Sequence, residues 1–372
     1  MNIALLGYGT VGRSLDELLG ERPVGIVVSR ILRRSGKTQG DPRMTDDIAS
    51  ILSDESIEVV AEAMSGEEPA AAYIESALLA GKHVVTANKA AIAPMLPKLL
   101  SIARERGVVL AFEASAGGVI PWIANLRRAA RFDRIDRFCG ILNGTGNYLI
   151  DRMTCGLSFG EALAEAQALG FAEADPTADV GGFDLVNKSI VTAAAAFGCV
   201  PGVETPVPVV GLEKLSVDFM HLAAREGKTV RFMAFGRCAA NRPNAQAPAL
   251  ALGVAPVLLS STSLEAGVGR NYNLASFYGD VAGPMSFFGQ GAGGRPTADA
   301  MIADMLDIAR GAVPATPPVT AAPDDSLLFG TGLFEDGTRI AGTFVEIAAA
   351  ARREGERRGF LAFEPDASLF SR

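Results

Sequence analysis

A short acidic stretch in the middle of the chain carries residue types suited to proton transfer and to binding an amino group. Residues 170–188 read GFAEADPTADVGGFDLVNK, and their charged side chains are Glu173, Asp175, Asp179, Asp184 and Lys188. Carboxylates bind ammonium groups, and a positioned lysine can donate a proton to a carbonyl oxygen during reduction. Two interpretations are open: a solvated acidic loop followed by a surface ion pair, or a binding and catalytic site.

The sequence after this stretch favours the second interpretation. Gly181-Gly182 allows a helix to begin near Phe183, and on that helix Asp184 and Lys188 share one face. The helix continues as SIVTAAAAFG, which is almost entirely apolar. Because such a helix is expected to be buried, a charged pair on it is costly unless other groups compensate it.

The composition limits the classes of protein that are possible. The chain has 372 residues, 49% hydrophobic and 20% charged, which predicts two or three globular domains. A net charge of −8, without a basic stripe, argues against binding of nucleic acid. No apolar run of membrane length and no signal sequence is recognised, so a cytoplasmic protein without membrane contact is expected. Four dispersed cysteines and two histidines without ligand spacing do not favour a transition-metal site.

The N-terminal residues MNIALLGYGTVGRSLDELLG combine an apolar strand, a glycine fingerprint and an amphipathic helix. Gly7, Gly9 and Gly12 permit a tight turn and a close approach of the backbone to a pyrophosphate. The helix N-terminus at Thr10 and Val11 offers amide donors to the phosphates. Apolar strands then alternate with helices, which predicts a Rossmann-like, doubly wound α/β nucleotide domain.

Two further segments concern the cofactor. The second strand leads into ILRRSGK, where Arg33 and Arg34 replace the usual carboxylate and suit a 2′-phosphate. NADP is therefore preferred over NAD, with a solvated basic loop as the alternative. The strand in VVTANK ends at the edge of the sheet where ligands bind, so Thr86 and Lys89 are predicted to face the cofactor.

Six motifs occur in the order and approximate spacing of homoserine dehydrogenases, and the chain resembles that family over residues 1 to about 310. They are GYGTVG, HVVTANK, EASAGGVIP, GILNGTGNY, GFAEADPTADVGGFDLVNK and GQGAGGRPTADAMIAD. The resemblance implies NAD(P)H-dependent, reversible reduction of L-aspartate 4-semialdehyde to L-homoserine, in threonine, methionine and isoleucine biosynthesis, by a homodimer or homotetramer. The alternatives are another Rossmann oxidoreductase of a related semialdehyde or keto acid, and a dinucleotide-sensing regulatory protein without catalysis.

The resemblance also implies roles for individual residues. Lys188 would donate the proton, Asp184 would assist it, and Lys89 would lie at the nicotinamide end. The substrate's amino group would be bound by Glu173, Asp179 and Asp184, and its carboxylate by Gly144 and Thr145. The loop at Gly291 would touch the cofactor. In some family members sodium binds backbone carbonyls, which here would be those of Glu113, Ala116, Gly118 and Ile120.

We predict three regions along the chain. Residues 1–120 form the NAD(P)-binding domain. Residues 121–310 form an α/β catalytic domain with a dimerisation region, and its last helix, 296–310, returns to the nucleotide domain. Residues 311–372 comprise a linker, PATPPVTAAP, and a short extension of unknown role in which no ACT domain is recognised. Residues 267–288, which begin with GVGRNYNLASFYGD, are predicted to be rich in loops. The sequence departs from the family pattern at three positions. Ser65 stands where a glycine is usual, Gly146 where a threonine or a similar residue is usual, and Phe171 where a tyrosine is common. These departures concern contacts with the substrate.

Overall fold

The computed structural model describes residues 1–34, 36–37, 40–239 and 247–370. The chain divides into two compact units. Unit 1 comprises Met1–Ala124 and Ala292–Val319, and unit 2 comprises Asn125–Gly291 and Thr320–Arg372. The divisions therefore fall after residues 124, 291 and 319, where the sequence suggested 120 and 310.

The strands and helices are numbered in chain order. The strands are β1 (Asn2–Leu6), β2 (Val27–Leu32), β3 (Met44–Thr45), β4 (Val59–Glu62), β5 (His83–Thr86), β6 (Leu110–Ala111), β7 (Ile135–Ile141), β8 (Cys199–Pro201), β9 (Lys228–Ala239), β10 (Ala249–Ser260), β11 (Tyr272–Gly279), β12 (Gly283–Gln290), β13 (Val319–Pro323), β14 (Phe329–Phe334), β15 (Arg339–Thr343) and β16 (Leu361–Pro365). The helices are α1 (Thr10–Glu21), α2 (Ile48–Ser53), α3 (Ala70–Leu79), α4 (Lys89–Ile92), α5 (Leu96–Arg106), α6 (Trp122–Ala129), α7 (Gly144–Thr154), α8 (Phe159–Ala168), α9 (Thr177–Val180), α10 (Phe183–Phe197), α11 (Val217–Arg225), α12 (Gly294–Ala309), α13 (Phe344–Arg358) and α14 (Ala367–Phe370).

Unit 1 is built on a parallel sheet with the strand order β3-β2-β1-β4-β5-β6. The central strand β1 is fully buried from Ile3 to Leu6, as a strand covered on both faces must be. Helix α12 belongs to this unit, where its Met301 and Met305 share a hydrophobic core with Leu15 and Leu19 of α1. The predicted Rossmann-like nucleotide domain is confirmed.

Unit 2 is a second α/β domain. Its described strands form a ten-stranded sheet in the order β12-β11-β7-β9-β10-β16-β14-β15. Strand β13 also pairs with β10, and β8 pairs with β13. Helix α10 packs on one face of this sheet, and the rings of Phe138 on β7 and Phe197 on α10 lie 5.6 Å apart. This packing fixes the position of the helix that carries Asp184 and Lys188.

The C-terminal half contains more strand than the sequence indicated. The segment predicted to be rich in loops holds the antiparallel pair β11–β12, which runs from Tyr272 to Gln290. Part of the predicted linker is strand β13, which pairs with β10. The extension contributes β14, β15 and β16 to the main sheet, where Phe363 pairs with Val257. The motif NGTGNY forms the N-cap and the first turn of helix α7.

Across the described part of the chain, no helix combines the length and the apolar character that crossing a membrane requires.

Candidate active site

The glycine loop of unit 1 has the geometry of a phosphate cradle. Gly7 has a φ of +93°, and a Cβ there would lie 2.8 Å from the carbonyl oxygen of Ala63. A Cβ on Gly12 would lie 2.2 Å from the carbonyl oxygen of Gly7, so only glycine fits there. Gly9 precedes α1 and has no neighbouring atom within 4 Å of its Cβ position, which leaves room above the helix N-terminus. Thr10 and Val11 form the first turn of that helix.

The predicted phosphate-binding arginines differ in their surroundings. The guanidinium carbon of Arg33 lies 5.8 Å from the centroid of the Tyr8 ring, within the glycine loop. Arg34 is exposed. The nearby Arg43 is paired with Asp16 at 2.9 Å and with Asp41 at 2.8 Å. Arg33 is thus held beside the cradle, and Arg43, which the sequence did not single out, is occupied by its ion pairs.

A buried polar network lies at the carboxyl ends of β4 and β5. The hydroxyl of Thr86 donates to the carboxylate of Glu62 at 2.5 Å and accepts from the backbone N–H of Asn88 at 2.9 Å. Asn88 caps helix α4, which begins at the half-buried Lys89. Burial raises the pKa of Glu62, although the hydrogen bonds from Thr86, Met64 and Asn88 oppose the shift. This network, which the sequence analysis missed, fixes the backbone that carries Lys89.

The loop proposed for sodium is a tight, buried turn in unit 1. Gly117 and Gly118 have φ values of +90° and +67°. The carbonyl oxygen of Ile120 accepts from the N–H of Trp122 at 2.7 Å, and that of Glu113 accepts from the N–H of Ala116 at 3.3 Å. Backbone carbonyl oxygens are the kind of ligand that a hard cation accepts.

In unit 2, helix α10 begins at a position that requires glycine. Gly182 has a φ of +84°, and a Cβ there would lie 2.9 Å from Cγ1 of Val209 and 3.1 Å from Cζ of Phe232. This close packing holds the helix start against the sheet. Asp184 then lies in the first turn, where the helix dipole favours a negative charge.

The predicted pair of charges on α10 is formed and buried. Nζ of Lys188 lies 2.8 Å from Oδ2 of Asp184, and the two side chains are only 11% and 10% exposed. The same ammonium donates to the carbonyl oxygen of Leu142 at 2.5 Å. The interpretation of Asp184 and Lys188 as a solvated surface ion pair is therefore wrong.

An asparagine that the sequence analysis did not select joins this pair to Asp179. Nδ2 of Asn143 donates to Oδ1 of Asp179 at 2.7 Å and to Oδ2 of Asp184 at 2.9 Å. Its Oδ1 accepts from the N–H of Gly146 at 2.6 Å, which caps helix α7. The sequence signal was available, because asparagine immediately before Gly-Thr-Gly is a favoured N-cap.

The other predicted substrate-binding residues surround the start of α7. Gly144 and Thr145 form its first turn, where N–H groups have no acceptor within the helix. The Thr145 hydroxyl donates to the carbonyl oxygen of Phe171 at 2.7 Å, which holds the following segment beside the helix. Glu173 lies on that segment, is exposed, and its carbonyl accepts from Gln167.

Gly291 follows β12 and lies against Asn273. A Cβ on Gly291 would be 2.1 Å from Cγ of Asn273, so the backbone is in direct contact with that amide. A side chain at this position would have to displace Asn273, which is fully buried. Packing alone therefore requires glycine here, whether or not the loop touches a cofactor.

The sequence and the fold both match known proteins. The family model of the homoserine dehydrogenase NAD-binding domain matches residues 7–113, and that of homoserine dehydrogenase matches residues 121–306. The homoserine dehydrogenase of Synechocystis is 38% identical over 320 residues, which are 83% of this chain and 73% of that protein. The homoserine dehydrogenase of Corynebacterium glutamicum is 35% identical, with 84% and 73% covered.

Solved structures agree. The homoserine dehydrogenase of Thiobacillus denitrificans superposes with a TM-score of 0.81 and 27% identity, covering 98% of this chain and 97% of that one. The Staphylococcus aureus enzyme gives a TM-score of 0.69 and 33% identity, with 83% and 76% covered. These matches account for the two units, one with a nucleotide-binding fold and one with a buried lysine–carboxylate pair. The chain belongs to the homoserine dehydrogenase family and is an NAD(P)-dependent oxidoreductase.

Proposed function

We propose that this protein catalyses the reversible NAD(P)H-dependent reduction of L-aspartate 4-semialdehyde to L-homoserine, a step toward threonine, methionine and isoleucine. The observation that carries the proposal is the buried Lys188–Asp184 pair beside Asp179. An amino-acid aldehyde needs carboxylates for its ammonium and an acid for its carbonyl oxygen. Both kinds of group lie together on α9 and α10.

In the proposed mechanism Lys188 donates the proton to the aldehyde oxygen. Asp184 holds the lysine ammonium at 2.8 Å, and burial of both side chains keeps water from replacing that contact. Oxygens of Asp179 and Asp184 face the donors of Asn143, the arrangement suited to ionised carboxylates that bind an ammonium. Glu173 completes this set from the exposed segment.

The substrate carboxylate is proposed to bind at the N-terminus of α7. The first-turn amides at Gly144 and Thr145 and the helix dipole both favour an anion there. The aldehyde then lies at the opposite end of the substrate from this carboxylate. Binding both ends sets the position of the reacting carbon.

The nicotinamide cofactor fits the glycine cradle of unit 1, because Gly9 leaves open space at the start of α1. When bound, the reduced cofactor supplies the hydride. We propose NADP as the preferred form, since Arg33 is held over Tyr8 beside the cradle and Arg34 is available to a 2′-phosphate. Thr86 and Lys89 position the nicotinamide end, and Gly291 is assigned to the cofactor loop.

Sodium and assembly are also proposals. The carbonyls of Glu113, Ala116, Gly118 and Ile120 are the ligands proposed for sodium, and replacing sodium by choline in the buffer tests this through the melting temperature. A homodimer or homotetramer is proposed because strand β12 lies at a sheet edge, where a second copy can pair with it, and its Phe288 is 61% exposed. Light scattering on the purified chain measures the mass of the assembly.

Substrate choice is tested by running the reaction in the oxidative direction. Purified protein with NADP⁺ is offered L-homoserine, L-serine and L-threonine, and formation of NADPH is recorded. We expect turnover with L-homoserine alone, because only its hydroxyl is one methylene farther from the amino-acid end. Equal rates with L-serine would contradict the proposed substrate.

A further inference from the structure

Asn143 connects three elements of unit 2 through one buried side chain. It lies between β7 and α7 and is 3% exposed. Its oxygen caps α7, and its nitrogen donates to Asp179 of α9 and to Asp184 of α10. Both hydrogens of the amide nitrogen are thus directed at carboxylates.

The orientation of this amide is fixed by its surroundings. If oxygen and nitrogen exchanged places, the amide nitrogen would face the N–H of Gly146, and the oxygen would face the carboxylates of Asp179 and Asp184. All three contacts would become repulsive. The side chain therefore has one low-energy orientation, and the two carboxylates are held in a fixed relation to each other.

The same contacts extend to the lysine. Oδ2 of Asp184 accepts from both Asn143 and Lys188, at 2.9 and 2.8 Å. Leu142, the residue before Asn143, accepts from the lysine through its carbonyl oxygen. The segment between β7 and α7 therefore holds Lys188 directly through Leu142 and indirectly through Asn143 and Asp184.

We propose that Asn143 is a positioning residue for the reaction: it aims Asp179 and Asp184 at the substrate ammonium and, through Asp184, keeps Lys188 in place to donate its proton. The proposal rests on the function proposed above. An asparagine does this where a carboxylate cannot, because the amide supplies two donors without adding a third negative charge.

The variant Asn143→Ser separates this role from helix capping. Serine is as good an N-cap as asparagine, so α7 keeps its cap, but the two hydrogen bonds from the amide nitrogen are lost. We expect kcat to fall about 10²-fold, as for a catalytic group displaced by about 1 Å. The melting temperature should fall, because two hydrogen bonds to carboxylates are lost. The affinity for NADPH should stay close to that of the wild type, and the loss of kcat should persist well below the melting temperature, which a purely structural role would not predict.

Asn143→Asp provides a second test, since it preserves both shape and cap but cannot donate to the carboxylates. It should lower kcat at least as far as the serine variant. Asp47→Asn, which exchanges the same two residue types at the exposed N-cap of α2, is the matched control and should have wild-type activity. Wild-type kcat in a folded Asn143→Ser or Asn143→Asp protein would overturn the proposal.

Failure of this proposal is distinguishable from failure of the proposed function. If the wild type does not act on L-homoserine, the proposed function is wrong. If the wild type is active and Lys188→Met is inactive while both Asn143 variants are fully active, only the positioning role is wrong. If each Asn143 variant loses turnover but retains NADPH binding, the positioning role is supported.

Discussion

Replacing Lys188 by methionine keeps most of the volume of the side chain and removes its ammonium. A positioned general acid contributes about 10²–10⁴-fold to a rate, so kcat should fall by that factor, equivalent to about 2.7–5.4 kcal/mol. NADPH binding should be nearly unchanged, because the proposed cofactor contacts do not include Lys188. Stopped-flow measurement of NADPH oxidation and fluorescence titration of NADPH give the two quantities.

The same substitution should lower stability, because it leaves Asp184 without its cation. Breaking a buried ion pair from one side costs about 3–5 kcal/mol, and the lower end is expected here because Asp184 keeps its hydrogen bond from Asn143. The double variant Lys188→Met, Asp184→Asn removes the stranded charge. It should regain much of the free energy of unfolding, measured with urea, while turnover remains low.

This pattern separates a chemical role from a structural one. If Lys188 only stabilised the fold, the folded fraction of Lys188→Met, measured by its NADPH binding, would keep wild-type turnover. The reasoning is refuted if Lys188→Met retains most of its turnover with aspartate 4-semialdehyde. If Lys89→Ala then loses that turnover, the acid role belongs to Lys89.

Three further predictions concern the cofactor, the start of α10 and the buried acid. Replacing Arg33 and Arg34 by alanine should weaken the binding of NADPH about 10- to 100-fold more than the binding of NADH, because hydrogen bonds from the guanidinium groups to the 2′-phosphate are lost. Equal losses of affinity in titrations of both cofactors would contradict NADP preference. Gly182→Ala should destabilise by about 1–3 kcal/mol in urea unfolding, and Gly198→Ala, with a φ of +65° but no atom within 4 Å of its Cβ position, is the control that should cost less. Burial raises the pKa of Glu62 above its ordinary value of 4.5, so its stabilising contribution is complete below that pH and is lost as pH rises through the raised pKa. The free energy of unfolding of the wild type relative to Glu62→Gln should therefore fall with rising pH, and a difference independent of pH would disprove this.

Local patterns allowed much of the site to be predicted. The i,i+4 spacing of Asp184 and Lys188 on an apolar helix indicated a buried pair, and that pair is confirmed. The glycine fingerprint fixed the turn between β1 and α1, because Gly7 and Gly12 have no room for a side chain. In both cases the residues that determine the structure lie within a few positions of one another in the sequence.

Contacts between distant segments were not predictable in this way. Asn143 meets Asp179 and Asp184 only because the fold brings the end of β7 beside the helices α9 and α10 that carry them. Strand β12 was missed because most of its residues are exposed and its sequence, GPMSFFGQ, has glycines near both ends, which is typical of a loop. Strand β16 of the C-terminal extension pairs with the distant strand β10, and β14 pairs with β16. Strand formation depends strongly on such tertiary context.

The most direct test of the central claim is identification of the product. Purified protein is incubated with L-aspartate 4-semialdehyde and NADPH, and the mixture is separated by chromatography with mass detection. The account predicts one L-homoserine formed for each NADPH consumed, with the rate lost in Lys188→Met. Consumption of NADPH without homoserine, or no consumption by a protein shown to bind NADPH, would contradict it.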